Sequence, residues 1–156
     1  MAGLAVIDQL VVRLTELGQT MATAESLTGG LVAATVVDVP GSSKVLRGGL
    51  VVYATELKHT LAGVDAGLLA SEGPVSAAVA VSLARGARSR CQADWGVATT
   101  GVAGPDSQDG VQVGTVFVAV SGPGVEEVRE LHLEGDRPAI RVATVRAALS
   151  LLLERL

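Results

Sequence analysis

The chain has 156 residues, 49% of them apolar and 18% charged, a formal net charge of −4, and only three aromatics, Tyr53, Trp95 and Phe117. So much Val, Leu and Ala with so modest a charge excludes disorder, and the length suits one domain, residues 1–156, with a sizeable aliphatic core. The acidic balance and scarce aromatics argue against nucleic acid as a partner, and no apolar run reaches the ~18 to 20 residues of a membrane span.

The elements follow in chain order. Ile7, Leu10, Val11, Leu14 and Leu17 fall at helical spacing, and Gly18 supplies a stop. Thr20 to Ala24 reads as a short strand running into Glu25-Ser26-Leu27-Thr28-Gly29-Gly30, with a helix from about Gly30 to Val37. Leu46 to Tyr53 predicts a buried strand, Glu56 to Leu61 one or two helical turns, and Asp65 to Leu69 another short helix. Ser76 is a good N-cap for a long helix through Arg88. Asp94 to Thr100 is the next strand, followed by a glycine-rich loop from Gly101 to Val113. Gly114 to Ser121 and Glu126 to Leu133 form a hairpin about Gly122-Pro123-Gly124, and Asp136 with Pro138 opens a last helix ending near Arg155. Helices between the early strands and a hairpin after them predict an α/β fold, a three-layer α/β/α sandwich on a mixed, mostly parallel sheet.

Strand-to-helix turns of open α/β sheets are where ligands bind, and three polar segments fall at such turns. In Ala24 to Gly30, Ser26 and Thr28 supply hydroxyls, while Gly29 and Gly30 let a ligand approach free N–H groups; a plain helix cap with tight packing fits equally. In Gly41 to Lys58, Ser42 and Ser43 precede the only tyrosine, Tyr53, and one of two lysines, Lys58. Serine needs a base to become a nucleophile, and a neutral, partly buried lysine is an acceptable one. The same residues also read as a turn cap, a packed tyrosine and a solvated lysine. In Thr99 to Gly114, Thr100 and Gly101 open a loop long enough to cover a small ligand, with neither a P-loop nor a G-x-G-x-x-G pattern. Arg137 and Arg141, four apart in the last helix, share a face and could fork onto a phosphate, or pair with Asp136 or Glu134. His59 and His132 are isolated and Cys91 has no partner at ligand spacing, so no metal is expected. A lone cysteine and an N-terminus broken by Asp8, Arg13 and Glu16 point to the cytoplasm.

Taken in order, AESLTGG, GSS, GG-x-V-x-Y-x-x-x-x-K, TGVAGPD, VGTV and GDR resemble the CinA C-terminal domain, over nearly the whole chain. Longer members of that family carry an additional N-terminal domain, which these motifs do not include. The resemblance implies a nicotinamide-nucleotide amidohydrolase (an NMN deamidase of pyridine nucleotide salvage) that converts nicotinamide mononucleotide to nicotinate mononucleotide and ammonia. It implies Ser43 as nucleophile with Tyr53 and Lys58 as partners, leaving Ser42 open as the attacking residue. Ser26 and Thr100 become pocket residues, Arg137 the cation near the phosphate, and Arg141 a second. No cofactor is implied, and a homodimer or larger homo-oligomer is. Where many relatives read T-Y-S-N-E-A-K, this chain has Val52-Tyr53-Ala54-Thr55-Glu56-Leu57-Lys58, and its loop lacks the Lys-Pro usual before VGTV. The alternative is a catalytically weak module of the same family that binds a phosphorylated ligand or a protein partner.

Overall fold

The computed structural model describes residues 2–156. Five strands form one sheet: β1 (Met21–Glu25), β2 (Leu46–Val51), β3 (Trp95–Gly101), β4 (Thr115–Gly122) and β5 (Val125–His132), in the order β2-β1-β3-β4-β5. β1 pairs in parallel with both β2 and β3, while β3–β4 and β4–β5 are antiparallel. Four strands therefore run one way and β4 alone runs back. The sheet is mixed, with its hairpin where Gly122-Pro123-Gly124 predicted a turn.

Among the described residues the six helices are α1 (Ala2–Leu17), α2 (Leu31–Val37), α3 (Thr55–Thr60), α4 (Ala66–Glu72), α5 (Ala77–Cys91) and α6 (Arg137–Arg155), with a 3₁₀ turn at Ser42–Lys44. Strand alternation sends Met21, Trp95, Val97, Val116, Val118 and Val120 to one face, where they pack with α1, α2 and α6. Ala22, Ala24, Ala98, Phe117 and Ala119 meet α5 and the segment around α3 on the other. This second layer is built of small residues. A Cβ at Gly96 would collide with the Ala84 carbonyl oxygen of α5, and one at Gly86 with the Ala62 carbonyl oxygen.

The prediction of a buried strand at Leu46 to Tyr53 needs correction. β2 is an edge strand, ends at Val51, and alternates half-buried with exposed residues. Gly49 lies there because a Cβ would strike the Thr23 hydroxyl of β1. The chain leaves β1 for β2 through α2 on one face, then crosses back past β1 to β3 through α3, α4 and α5. The C-terminal end of β1 is thus where successive connections diverge to opposite sides, the place where open sheets leave a crevice.

Candidate active site

Ser26 is the first residue after β1, and Glu25 is aligned with Val51 of β2 and Thr99 of β3. Ser26, Tyr53 and Thr100 therefore gather at one end of the sheet. A cleft of about 120 Å³ opens there, lined among others by Ser26, Leu27, Tyr53, Lys58, Thr100 and Arg137. It is smaller than the ~300–1,000 Å³ of sites that enclose a drug-sized molecule, so it suits the reacting end of a ligand. Pro74 and Val75 form one wall, Gly101 to Gly104 another, and Asp106 with Gln108 the rim.

Lys58 projects from α3 and is among the most buried side chains of the molecule, at 1% exposure. Its Nζ donates to the Val52 carbonyl at 2.7 Å, to the Tyr53 carbonyl at 3.4 Å and to Ser26 Oγ at 3.0 Å. Burial pushes its pKa down from 10.5 to about 8, with Glu56 opposing the shift. Once neutral, the amine keeps two hydrogens for the two carbonyls, and its lone pair faces the Ser26 hydroxyl. The direction of that hydrogen bond then reverses, with Ser26 donating and Lys58 accepting.

The turn that carries Ser26 is held from below and from the side. Glu25, 1% exposed, points its carboxylate into the start of α2 and accepts from Val32 N at 2.7 Å and Ala33 N at 3.1 Å. Thr28 Oγ1 donates to the same carboxylate at 2.7 Å and contacts Thr99 Oγ1 at 2.8 Å, while Thr23 Oγ1 adds a fourth donor at 3.1 Å. The N-cap position Gly30 offers no side chain, so Glu25 performs the capping from the preceding strand. Gly29 and Gly30 have φ of +57° and +102°, which shape this left-handed turn. Thr28, Gly29 and Gly30 build the floor and do not line the cleft.

The structure separates the residues expected to form the catalytic set. Ser43 is exposed in the 3₁₀ turn before β2, whereas Lys58 meets the cleft beyond the end of β2. The length of a six-residue strand, about 20 Å at ~3.3 Å per residue, lies between those ends. Ser42 is buried at the same far end and donates to the Val37 carbonyl at 3.3 Å. Neither serine reaches Lys58, and Ser26 does. Tyr53 is 61% exposed at the mouth, where its hydroxyl accepts from Arg137 Nη2 at 3.0 Å; only its carbonyl touches Lys58.

Arg137 Nη1 also donates to the Gly104 carbonyl at 2.6 Å, which places one cation at the mouth of the cleft. Arg141 turns elsewhere, donating to the Leu27 and Thr28 carbonyls at 2.9 and 3.0 Å, and is not part of the lining. Thr100 lines the cleft, its hydroxyl committed to the Pro74 carbonyl at 2.6 Å. Gly101 is backbone lining, since a Cβ there would meet Val116 Cγ2 at 2.6 Å. Sequence reasoning missed Glu25, Asp106 and Gln108; a carboxylate at the end of an otherwise apolar strand, just before a glycine turn, was the available signal for Glu25. No group of His, Cys, Asp or Glu among the described residues could hold a metal ion.

Residues 4–156 match the family model of the CinA C-terminal domain. A CinA-like protein of Frankia casuarinae is 52% identical over 132 residues, covering 85% of this chain and 30% of that protein. A CinA-like protein of Geobacter sulfurreducens is 47% identical over 152 residues, covering 96% and 37% respectively. The chain thus spans about a third of the length of these curated relatives. Among solved structures, the competence/damage inducible protein CihA of Agrobacterium tumefaciens superposes with a TM-score of 0.94 at 34% identity, over 99% of this chain and 95% of that one. A CinA superfamily protein of Escherichia coli gives 0.93 at 32% identity, over 97% and 88%.

Proposed function

The chain belongs to the CinA C-terminal domain family, and from that premise we propose that it is a serine amidohydrolase that deamidates nicotinamide mononucleotide, with Ser26 as the nucleophile. One observation carries the reading: a buried lysine of lowered pKa, two of its hydrogens engaged by carbonyls, faces a serine hydroxyl at the floor of a cleft.

Neutral Lys58 takes the Ser26 proton as Oγ attacks the carboxamide carbon. The oxyanion forms beside the turn, where the N–H of Leu27 makes no hydrogen bond among the described residues. A donor on the residue after the nucleophile is a common place for such stabilisation. The tetrahedral intermediate then breaks its C–N bond, and the Lys58 ammonium protonates the departing amine, releasing ammonia. Water next attacks the Ser26 ester and gives its proton to Lys58. Collapse frees the carboxylate product and restores the Ser26 hydroxyl. Each turnover consumes one water and needs no redox partner.

Arg137 at the mouth, 84 residues from Tyr53 in sequence and hydrogen-bonded to it, is the cation for the substrate phosphate, with the Tyr53 hydroxyl beside it. Lys58 as base and Arg137 as anchor leave Asp106 as the one carboxylate of the lining, facing a substrate whose ring is cationic.

The test is ammonia release from nicotinamide mononucleotide. Ser26→Ala should lower the rate at least a thousandfold, and Ser43→Ala should leave it within about twofold. Retained turnover in Ser26→Ala would overturn the mechanism. A wild type that binds the nucleotide without releasing ammonia would leave a binding module.

A further inference from the structure

Arg141 stands one helical turn beyond Arg137 in α6 and is half-buried. Among the described residues it makes no ion pair, and both its side-chain hydrogen bonds run to two adjacent peptide oxygens, those of Leu27 and Thr28. The planar guanidinium fork suits such a pair, since its donors lie at fixed angles.

A trans peptide points its N–H opposite its C=O. Holding the Thr28 carbonyl therefore aims the Gly29 N–H the other way, and that N–H donates to the Ser26 carbonyl at 3.1 Å. The Ser26 carbonyl in turn fixes the direction of the Leu27 N–H, and Leu27 is one of the residues that line the cleft. Two peptide planes, Thr28–Gly29 and Ser26–Leu27, are thus set in series from one guanidinium, which holds the Leu27–Thr28 plane between them directly. Each hydrogen bond also polarises the next, so the cation strengthens the last donor as well as aiming it.

We propose that Arg141 is a positioning residue for the reaction: through the Thr28 carbonyl and the Gly29 N–H it aims the Leu27 N–H at the oxyanion and fixes the Ser26 turn. This rests on the amidohydrolase reading for its chemistry and on geometry alone for its effect on the turn. It departs from a phosphate contact, because a substrate group would have to displace two backbone bonds to reach Arg141.

Arg141→Met and Arg141→Lys in the full chain decide the matter. Turnover of nicotinamide mononucleotide is expected to show kcat reduced at least tenfold in Arg141→Met with KM within twofold, and partial recovery in Arg141→Lys. The pH dependence of the remaining activity should be unmoved. Amide hydrogen exchange by NMR should show Gly29 losing at least tenfold protection while β3 amides keep theirs. A raised KM with kcat retained would overturn the proposal and make Arg141 a substrate contact. Unchanged Gly29 protection would overturn it whether or not the wild type hydrolyses this substrate, whereas a silent wild type with Gly29 deprotected in the variants would strike only the amidohydrolase reading. Should Arg141→Met fail to fold, Arg141→Lys, which keeps the charge but only one donor nitrogen, gives the same decision.

Discussion

Lys58 must shed a proton before it can accept one from Ser26, and burial sets where that happens. With a folded pKa of about 8, kcat/KM should rise tenfold per pH unit below that value and level above it. A flat profile from pH 6 to 9 would remove Lys58 as the base. The same shift has a stability consequence. Between about 8 and 10.5 the unfolded chain holds a proton that the folded chain has released, so stability rises with pH across that window, by about 3 kcal/mol in all. Urea unfolding at pH 7.5 and 10 should show this rise in the wild type and lose it in Lys58→Met. Lys58 was legible in the sequence because lysine is so rare here. Its partner was not: Ser43 is 15 positions from Lys58 and Ser26 is 32, yet β2 carries the nearer serine to the wrong end of the sheet. Distance along a chain says little across parallel strands, where a crossover reverses which residues meet. Arg137 and Arg141 do share a face of α6, as their spacing predicts, but one turn of rise separates a cleft mouth from a backbone clamp.

Among the elements, α2 depends most on a residue outside itself. Seven residues make a helix too short to persist alone, and its second and third N–H groups, of Val32 and Ala33, are satisfied by Glu25 from β1. Glu25→Ala would take the carboxylate acceptor from the N–H groups of Val32 and Ala33 and from the hydroxyls of Thr23 and Thr28. We expect a loss of about 3 kcal/mol or more, seen as a fall of roughly 6–12 °C in thermal midpoint. A fall under 2 °C would show that solvent replaces the carboxylate. The two glycines at positions 29 and 30 made the start of α2 readable, but a cap lying five residues before the N-cap position escapes local rules. Ser76 and Asp136, by contrast, cap α5 and α6 from the N-cap itself, as predicted. The edge position of β2 was hidden for a related reason. Gly48-Gly49-Leu50-Val51 reads as a buried run, while Gly49 serves close packing on Thr23.

For the whole molecule, the two faces of the sheet are packed by different rules. Against α1 and α6 the core is filled by Leu, Ile and Val, where swaps of similar volume should cost under about 1.5 kcal/mol. Against α5 the sheet offers alanines and Gly96, and backbone meets backbone. Gly96→Ala should therefore destabilise by about 2–3 kcal/mol, while Leu149→Met on the opposite face should cost under half that, both read as shifts in urea midpoint. The overall α/β layering was legible because aliphatic periodicity and turn residues act locally. Which face took the small residues was not, because both faces read as apolar in sequence. The rims of the sheet are equally unlike. β5 carries Glu126, Glu127, Arg129 and Glu130, several tied to Arg85, Glu154 or Arg155, so a foreign strand meets a fence of charge. β2 offers Arg47 alone, already bonded to the Cys91 carbonyl, beside an exposed Val51. Under heat or crowding, self-association should begin by strand addition at Leu46–Val51. Since Tyr53 and Lys58 hang from the end of that strand, aggregates seeded there would lose the proposed active site while the rest of the sheet still held its native form.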